Sequence, residues 1–424
     1  MYTPHRIPPA ISLNRKGTGK ITRNPFLKQF GRHARIKTRD HEFIFTPQGE
    51  IRFIRGLGTD WPHPSEQLKR TDGNDWIHYS VGDDSTDQGI ISWMGEYYLP
   101  CLPYPSNSVW NLNYRENPGI MTAFGAWSQL FANLWDMNRK ITLRPEVLDL
   151  VQKILANDDQ ALFDRTAKLK RIIGTQISVL PPDTRHVDYD IIPLIVADGC
   201  RYRCRFCCVK SSQKFRTRSA NRITTQIREL KDFYGQNLKN YNAVFLGNHD
   251  ALAAGSGPVL ETAEKAYEAF EFDDGRKAAP RFFLFGSAGS LLDMDPSFFD
   301  RLDTLPFDTW INIGLESCHD GTLKTIGKPL TEKIVRAAFH RICDLNQKLS
   351  RVEITCNFLI GTDLAPPHYD TMIRLLTGVP ASGKGCVYLS PIKDSPKKRE
   401  LLPQFREIRE ASRLPVFIYL IQRF

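Results

Sequence analysis

The 424-residue sequence lacks any run of about eighteen apolar residues that could cross a membrane, and it does not open with a basic segment followed by an apolar one, as a secretion signal would. We therefore expect a cytoplasmic protein with no membrane segment. Its nine cysteines are an odd number, which argues against a disulfide framework because cytoplasmic thiols are kept reduced. Clustered cysteines in such a chain are expected to bind a metal or to take part in catalysis.

Several catalytic motifs are also missing. The stretches GTGKIT at 17–22 and SGKGC at 382–386 lack the glycine spacing and the Ser or Thr after Lys that a phosphate-binding loop requires. The sequence contains no HExxH zinc motif and no GxSxG nucleophile motif. These absences argue against a P-loop nucleotidase, a zinc protease of the HExxH type and a GxSxG hydrolase.

Acidic residues are absent from residues 1–39, which contain ten Lys or Arg. The other 47 basic residues balance the 47 acidic ones, so the net charge of +10 arises in this segment. We predict that 1–39 is a basic, flexible arm that either binds a polyanion such as RNA or is a solvated tail. A transit peptide is disfavoured because prolines interrupt any amphipathic helix.

Residues 40–185 are expected to form an aromatic-rich N-terminal α+β domain. The stretch EFIFTPQGEIRFI, Glu42 to Ile54, predicts a hairpin, and helical periodicity follows later in the segment. Six of the seven tryptophans lie between Trp61 and Trp135. We favour a role in the core, and the alternative is stacking against bases or a flat substrate. We expect this domain to supply substrate specificity or to cover the site of the next domain.

Residues 186–395 alternate apolar strands with helices. The apolar runs are IIPLIV (191–196), AVFLG (243–247), RFFLFG (281–286), WINIGL (310–315), VEITCNFLIG (352–361) and CVYLSPI (386–392). Strands that are apolar along their length predict a parallel sheet covered by helices, which right-handed crossovers wind into a partial barrel. The predicted fold class is α/β, with chemistry at the carboxyl ends of the strands. Residues 396–424 are assigned to a C-terminal extension.

Three cysteines in the run CRYRCRFC follow the first of these strands, at its carboxyl end: Cys200, Cys204 and Cys207. A structural zinc site normally needs a second pair of ligands, which is missing. A redox pair would leave Cys200 without a role. An iron–sulfur cluster suits several thiolates on one short loop, and three ligands leave one of four irons open.

The run CRYRCRFC, with the aromatic Phe206 before the last cysteine, resembles the CxxxCxΦC signature of the radical S-adenosylmethionine (radical SAM) superfamily. In that family the loop follows the first strand of a partial (β/α)6 TIM-type barrel. Three later stretches resemble family motifs after the second, fourth and fifth strands: FLGNHDAL (245–252), IGLESCHDGTLKTIGKP (313–329) and NFLIGTD (357–363). The resemblance covers about residues 186–395. No DxHxxG-like stretch precedes the barrel, which disfavours a cobalamin-dependent methyltransferase.

The resemblance implies two sets of site residues and two cofactors, a [4Fe-4S] cluster and S-adenosylmethionine. The implied cluster ligands are Cys200, Cys204 and Cys207. The implied contacts to S-adenosylmethionine are Asp250 with Asn248 at the amino group, and Glu316 with Ser317 near the ribose and carboxylate. The family's reaction is cleavage of S-adenosylmethionine by one electron, giving methionine and a 5′-deoxyadenosyl radical that abstracts hydrogen from a substrate. A reductant such as flavodoxin or ferredoxin is the implied partner.

The substrate is left open by the sequence. The basic arm and the aromatic residues favour a nucleic acid or another anionic substrate. The alternatives are a peptide or a small metabolite, or a non-enzymatic module that binds zinc or an iron–sulfur cluster. Nine Lys or Arg and no acid lie between Gly199 and Arg228. These cations are expected to stabilise the reduced cluster, to bind a phosphate-bearing substrate, or to form a solvated helix face.

Three residues depart from the family pattern. We expect Cys208 to pack behind the cysteine loop. Cys318 is expected near the mouth of the barrel, as a small apolar filler rather than a substrate-side thiol or an auxiliary ligand. His249 either donates a proton to substrate or is a hydrogen-bonded structural residue.

Overall fold

The computed structural model describes residues 10–16, 31–61, 67–70, 76–80, 97–100, 118–140, 142–175, 177, 179–187, 190–207, 213–272, 279–380, 383–392 and 401–419. The described strands form an antiparallel sheet and a parallel sheet of seven strands each, and a two-stranded pair. The antiparallel sheet precedes the parallel one along the chain.

The N-terminal sheet is a meander in which each strand pairs with the next one in sequence. Its strands are β1 (Ala10–Lys16), β2 (Arg32–Lys37), β3 (His41–Phe45), β4 (Ile51–Gly56), β5 (Gln67–Arg70), β6 (Trp76–Ser80) and β7 (Tyr97–Pro100). The antiparallel pair β3–β4 is the hairpin that the sequence predicts at 42–54.

The basic arm differs from the sequence-based expectation. Its described parts form β1 and β2, which pair with each other, and β2 pairs with β3 across the boundary drawn at residue 40. Ala34 and Ile36 are buried on one face of β2, and Arg35 on the other face forms an ion pair with Glu42 at 2.9 Å. Apolar and basic residues therefore alternate as in a strand with one buried face. The high content of basic residues made this segment look like a flexible tail.

Three helices cover this sheet: α1 (Pro118–Lys140), α2 (Pro145–Leu155) and α3 (Asp159–Ile173). Trp61 and Trp127 are buried in the core between helices and sheet, whereas the side chain of Trp135 is 52% exposed. The core role that we favoured holds for Trp61 and Trp127. No described helix is long and apolar enough to cross a membrane.

The second sheet is parallel and has the order β16-β15-β14-β13-β12-β11-β8. Its strands are β8 (Ile192–Leu194), β11 (Ala243–Leu246), β12 (Arg281–Ser287), β13 (Asp308–Glu316), β14 (Val352–Ile360), β15 (Val387–Pro391) and β16 (Val416–Ile418). The intervening helices are α4 (Ala220–Tyr234), α5 (Ser256–Ala269), α6 (Ala288–Asp293), α7 (Pro296–Thr304), α8 (Asp320–Thr325), α9 (Glu332–Lys348), α10 (Pro366–Thr377) and α11 (Leu401–Ala411). The predicted α/β fold class with a partial barrel is confirmed.

The C-terminal segment extends this barrel. Helix α11 leads into β16, which pairs in parallel with β15. The apolar runs predict six strands. They do not predict the seventh strand, β16, because it has only three residues. The described part of the predicted C-terminal extension, residues 401–419, thus contributes a strand to the barrel sheet.

The inner face of the parallel sheet is covered by the chain that precedes it. Val244 and Leu246 pack with the helices, whereas Ala243 and Phe245 point inward and pack with Leu180 and Val187 of this preceding chain. The preceding chain is further fixed by the carboxylate of Asp183, which accepts hydrogen bonds from the hydroxyls of Thr355 at 2.7 Å and Tyr388 at 2.6 Å. Residues 179–187 therefore fill part of the barrel interior.

The N-terminal sheet contacts the barrel at the amino ends of its strands. Asp190, just before β8, forms ion pairs with Arg52 at 2.5 Å and with the fully buried Lys69 at 2.8 Å. Arg52 also donates to the hydroxyl of Tyr241, just before β11. Among the described residues, these buried charges hold the sheet at the end of the barrel opposite the cysteine loop.

Candidate cluster and S-adenosylmethionine site

The cysteine loop lies at the carboxyl edge of the parallel sheet. Two short strands, β9 (Ala197–Asp198) and β10 (Arg216–Thr217), pair in antiparallel fashion and close the loop at its base. Asp198 is held there by ion pairs with Arg218 at 2.5 Å and with Arg222 at 3.0 Å. The charged pairs fix the point at which the chain leaves the sheet for the three cysteines.

Gly199 makes the sharp entry into the loop. Its φ is +75°, and a Cβ atom there would lie 2.6 Å from backbone atoms of Gln213 and Lys214. Glycine is the residue that adopts this conformation without strain and leaves room for the neighbouring chain. The next residue, Cys200, then forms a backbone bridge with Lys214.

The loop places its three thiols at different depths. Cys204 is buried, whereas Cys200 and Cys207 are half-buried. The Cys207 amide donates to the Cys204 carbonyl at 3.3 Å, and the Arg205 amide donates to the carbonyl of Ile326, beyond α8, at 2.7 Å. Phe206, the aromatic residue of the signature, packs against the main core of the barrel. The loop is therefore anchored to the segment after β13.

Asp250 lies in the turn after β11, and one of its carboxylate oxygens has no hydrogen-bond partner among the described residues. Its Oδ1 accepts hydrogen bonds from the Ser290 hydroxyl at 2.7 Å and from the Ala253 amide at 3.2 Å. Its Oδ2 is buried and has no hydrogen-bond donor among the described residues. A buried carboxylate oxygen is costly without a donor, so this atom indicates a ligand that brings one. Its charge acts on the thiol of Cys200.

Glu316 and Lys328 form a buried ion pair beside the cysteines. The Lys328 ammonium donates to Oε1 of Glu316 at 3.2 Å and lies 5.3 Å from the centre of the Tyr202 ring. Glu316 ends β13 with φ +68°, an uncommon conformation for a residue with a side chain. Backbone strain of this kind is typical of functional sites, and here it points the carboxylate back toward Lys328.

The electrostatic effects within the site are mutual. Burial raises the pKa of the Cys204 thiol, and Lys328 opposes that rise. Burial also raises the pKa of Cys200, and the charge of Asp250 adds to it. Burial alone would lower the pKa of Lys328, but Glu316 and the Cys204 thiol raise it above its usual range. Lys328 is thus the cation that favours negative charge at Cys204.

Ser317 follows Glu316, and its hydroxyl is hydrogen-bonded to other residues of the fold. It is fully buried, and its hydroxyl lies 2.8 Å from Nδ1 of His368 on α10. The amide of His319 also donates to this hydroxyl. Burial lowers the pKa of His368 to about 4, so its ring is neutral near pH 7. Nε2 bonds the carbonyl of Leu359, which can only accept, so the proton is on Nε2 and Nδ1 accepts from Ser317. The Ser317 hydroxyl is therefore used within the fold.

The remaining sequence-based candidates take various places. Asn248 is buried in the same turn as Asp250, and its amide nitrogen lies 3.4 Å from the Thr175 hydroxyl. His249 is half-buried between them, and burial lowers its pKa. Cys318 is fully buried, and burial raises its pKa to about 11, as expected for an apolar filler. Cys208 lies outside the described residues.

The residues present fit a cluster with an additional polar ligand. No three His, Cys, Asp or Glu side chains converge on one point as ligands of a single ion, within the part of the chain that the structure describes. This is compatible with an iron–sulfur cluster, because each cysteine would bind a different iron and the three thiolates need not meet at one point. The unpartnered Oδ2 of Asp250 and the cation of Lys328 supply complementary sites for an amino group and for anionic sulfur.

Sequence reasoning missed Lys328 and Ser290. Lys328 stood within the quoted stretch IGLESCHDGTLKTIGKP without a role, although a lysine flanked by Gly327 and Pro329 after a strand end was a usable signal. Ser290 carries no such signal, because it reaches Asp250 from the next strand–helix unit.

An open parallel barrel with three thiols on one loop at its carboxyl edge defines the class as a cofactor-dependent α/β enzyme. Residues 194–363 match the Radical SAM superfamily. The chain therefore carries a radical SAM domain, and its subfamily is not resolved by the match. Enzymes of this superfamily use a [4Fe-4S] cluster and S-adenosylmethionine, as the sequence resemblance implied. No curated protein matches the sequence.

Several solved structures are similar at low identity. The cobalamin-dependent S-adenosylmethionine radical enzyme OxsB, with aqua-cobalamin and S-adenosylmethionine bound, is 18% identical over 53% of this chain and 31% of its own, with a TM-score of 0.34. A radical SAM methyltransferase from Sphaerobacter thermophilus is 14% identical over 54% of this chain and 66% of its own, with a TM-score of 0.34. Streptococcus suis SuiB bound to S-adenosylmethionine is 11% identical over 83% of this chain and 69% of its own, with a TM-score of 0.37. Because this chain spans only about a third of OxsB, and because all these TM-scores are low, the neighbours do not define its reaction.

Proposed function

We propose that this chain is a radical SAM enzyme whose cluster is held by Cys200, Cys204 and Cys207 and whose substrate enters the partial barrel. The observation that carries the proposal is the meeting of the cysteine loop with the unpartnered Oδ2 of Asp250 at the carboxyl edge of the parallel sheet. When bound, the cluster supplies one electron to S-adenosylmethionine, which gives methionine and a 5′-deoxyadenosyl radical that abstracts hydrogen from substrate.

Asp250 is the proposed partner of the amino group of S-adenosylmethionine. The Ser290 hydroxyl and the Ala253 amide hold Oδ1 and thereby fix the direction of Oδ2. A hydrogen bond from an ammonium to this buried oxygen would be charge-assisted and stronger than a neutral one. Asn248, in the same turn, lines the same side of the site.

Glu316 is the proposed contact to the ribose. Its ion pair with Lys328 leaves Oε2 for a sugar hydroxyl, while Oε1 stays with the ammonium. Ser317 was predicted beside it, but its hydroxyl is engaged by His368. We therefore keep Ser317 in the proposal as a residue that positions Glu316.

The barrel interior favours reaction without water. Below the site, Trp310 stacks on Phe283 with ring centres 5.3 Å apart, and the His186 ring lies 5.1 Å from Trp310. Higher up, the amides of Asn312 and Asn357 bond each other across β13 and β14. A reactive radical intermediate needs such a closed floor, because exclusion of solvent prevents side reactions.

We propose a nucleic acid or another anionic substrate, with a peptide or small metabolite as the alternative. Two supports of this proposal are weakened by contacts within the N-terminal domain. Arg35 of the basic arm is paired with Glu42, and Trp61 and Trp127 are buried in the core. We propose a reducing, cytoplasmic setting, in keeping with the free thiols of Cys200, Cys204, Cys318, Cys343 and Cys356.

The proposal is tested with protein purified without oxygen and reconstituted with iron and sulfide. 5′-Deoxyadenosine is measured after addition of S-adenosylmethionine and dithionite. Wild type is compared with Cys204→Ala and with the matched control Cys343→Ala, a buried cysteine on α9. We expect product from wild type and Cys343→Ala and none from Cys204→Ala.

Other results would decide against this function. Colourless protein that retains zinc would identify a zinc-binding module. A cluster-loaded protein that forms no product, and whose electron paramagnetic resonance spectrum is unchanged by S-adenosylmethionine, would identify a structural cluster.

A further inference from the structure

Exposed cations surround the outer side of the cysteine loop. We define the basic rim as four residues that are all exposed: Arg203, Arg205, Lys214 and Lys324. Lys214 is joined to the loop by its backbone bridge to Cys200. Lys324 lies on α8, next to the Thr325 carbonyl that accepts a hydrogen bond from the Arg205 guanidinium at 3.4 Å.

These charges are not neutralised by the fold. Within the part of the chain that the structure describes, the side chains of Arg203, Lys214 and Lys324 form no ion pair. Among the described residues, the Arg205 guanidinium donates to a neutral carbonyl. Arg201, also in the loop, is partly compensated by Asp293 at 3.7 Å, and it donates to the Ala253 carbonyl. The rim is therefore a patch of unbalanced positive charge.

The rim lies where a reducing electron would enter. Arg203 and Arg205 lie between the half-buried Cys200 and Cys207 in the loop, so exposed cations flank the thiols that would hold a cluster. The other side of the site faces Asp250, Glu316 and the barrel interior, where the ligand and substrate are proposed to react. The two sides also differ in charge, with exposed cations outside and buried carboxylates inside.

We propose that the basic rim is the docking surface for an acidic one-electron carrier protein of the flavodoxin or ferredoxin class. This inference rests on the proposed function, since only a cluster that must be reduced needs such a partner. In each cycle the carrier is oxidised by one electron and the cluster is reduced by one. Complementary charge accelerates encounter and orients the carrier toward the cysteine loop.

A polyanionic substrate is the competing occupant of this surface. It would have to reach the barrel interior, yet the rim residues point to solvent from the outer side of the loop and from α8. The carrier has no need to enter, because electron transfer requires only close approach. The geometry therefore favours the carrier over a nucleic acid.

The test separates chemical from protein-mediated reduction. The variant Lys214→Glu/Lys324→Glu reverses two rim charges and leaves every residue between the cysteines unchanged. Its matched control, Lys37→Glu/Lys239→Glu, makes the same change of net charge at exposed residues on the N-terminal sheet and at the amino end of the barrel. 5′-Deoxyadenosine formation is driven either by dithionite or by flavodoxin that is reduced by NADPH and its reductase, and ferredoxin is tested in parallel.

We expect the rim variant to keep the dithionite-driven rate and to lose about tenfold in the flavodoxin-driven rate at low salt, mainly through a higher KM for flavodoxin. The wild-type rate should fall with salt, and the rim variant should be less sensitive to it. The control variant should behave as wild type in both assays.

Equal flavodoxin-driven rates for the rim and control variants would overturn the docking proposal. So would loss of polyuridylate binding, measured by fluorescence anisotropy, together with an unchanged carrier-driven rate, because the rim would then bind a polyanion. Failure of wild type to react even with dithionite would count against the proposed function itself.

Discussion

The hydrogen bonds of His368 predict a specific dependence of stability on pH. Its Nδ1 accepts from the Ser317 hydroxyl and its Nε2 donates to the Leu359 carbonyl. Protonation of Nδ1 would force the Ser317 hydroxyl to change from donor to acceptor and would place a charge in a buried site. Burial lowers the pKa of His368 from 6.5 to about 4. A histidine whose pKa is lowered on folding supports the fold fully above the pKa of the unfolded chain. This support is lost as pH falls from about 6.5 toward 4.

The magnitude follows from the size of the shift. Each pKa unit corresponds to about 1.4 kcal/mol, so the shift of His368 contributes about 3 kcal/mol to the free energy of unfolding at neutral pH relative to pH 4. The variant His368→Gln removes this titration. The difference in unfolding free energy between wild type and variant should therefore shrink by about that amount from pH 7 to pH 4.

Urea unfolding, followed by tryptophan fluorescence at several pH values, measures this difference while other titrating groups cancel. His340→Gln serves as the control, because His340 is exposed on α9. If the difference between wild type and His368→Gln were the same at pH 7 and pH 4, the neutral histidine between α10 and β13 would be refuted. Ser317 would then be available for another role.

Three further variants test the site. Lys328→Met should lower the free energy of unfolding by about 3 kcal/mol in urea titrations because it leaves the buried Glu316 unpaired, and adding Glu316→Gln should recover most of it; additive losses would contradict the pairing. Gly199→Ala should lower the iron and sulfide bound per chain because of its φ of +75°, and unchanged iron would be inconsistent with this strain. Asp250→Asn should weaken S-adenosylmethionine binding about 10- to 100-fold in anaerobic calorimetry while iron content stays constant, whereas unchanged affinity would remove Asp250 from the site.

Local patterns determined the parts of the protein that depend on neighbouring residues. The spacing of the cysteines fixed which thiols share one loop, and fully apolar runs separated by helical periodicity predicted the parallel sheet. The hairpin at β3–β4 was visible for the same reason, because strand alternation and a turn lie within one short segment. The carboxyl-end rule then placed the loop at the reactive edge of the sheet.

The sequence did not predict strands whose apolar pattern is short or interrupted by charged residues. Strands β1 and β2 carry enough basic residues to look like a tail, although Ala34 and Ile36 supply a buried face once β3 pairs with them. Strand β16 has three residues and joins the sheet through its partner β15. Neither element satisfies a sequence rule alone, because each is stabilised mainly by a neighbouring strand.

Tertiary structure alone decided which side chains meet. Lys328 pairs with Glu316 across the turn after β13, Ser290 reaches Asp250 from a separate strand–helix unit, and His368 reaches Ser317 from α10. The ion pairs of Asp190 likewise hold the N-terminal sheet at the amino end of the barrel. Sequence periodicity reports which face of an element is buried, but not which distant residue lies against it. The sequence therefore determined the cysteine loop and the barrel, and chain packing decided the charges around them.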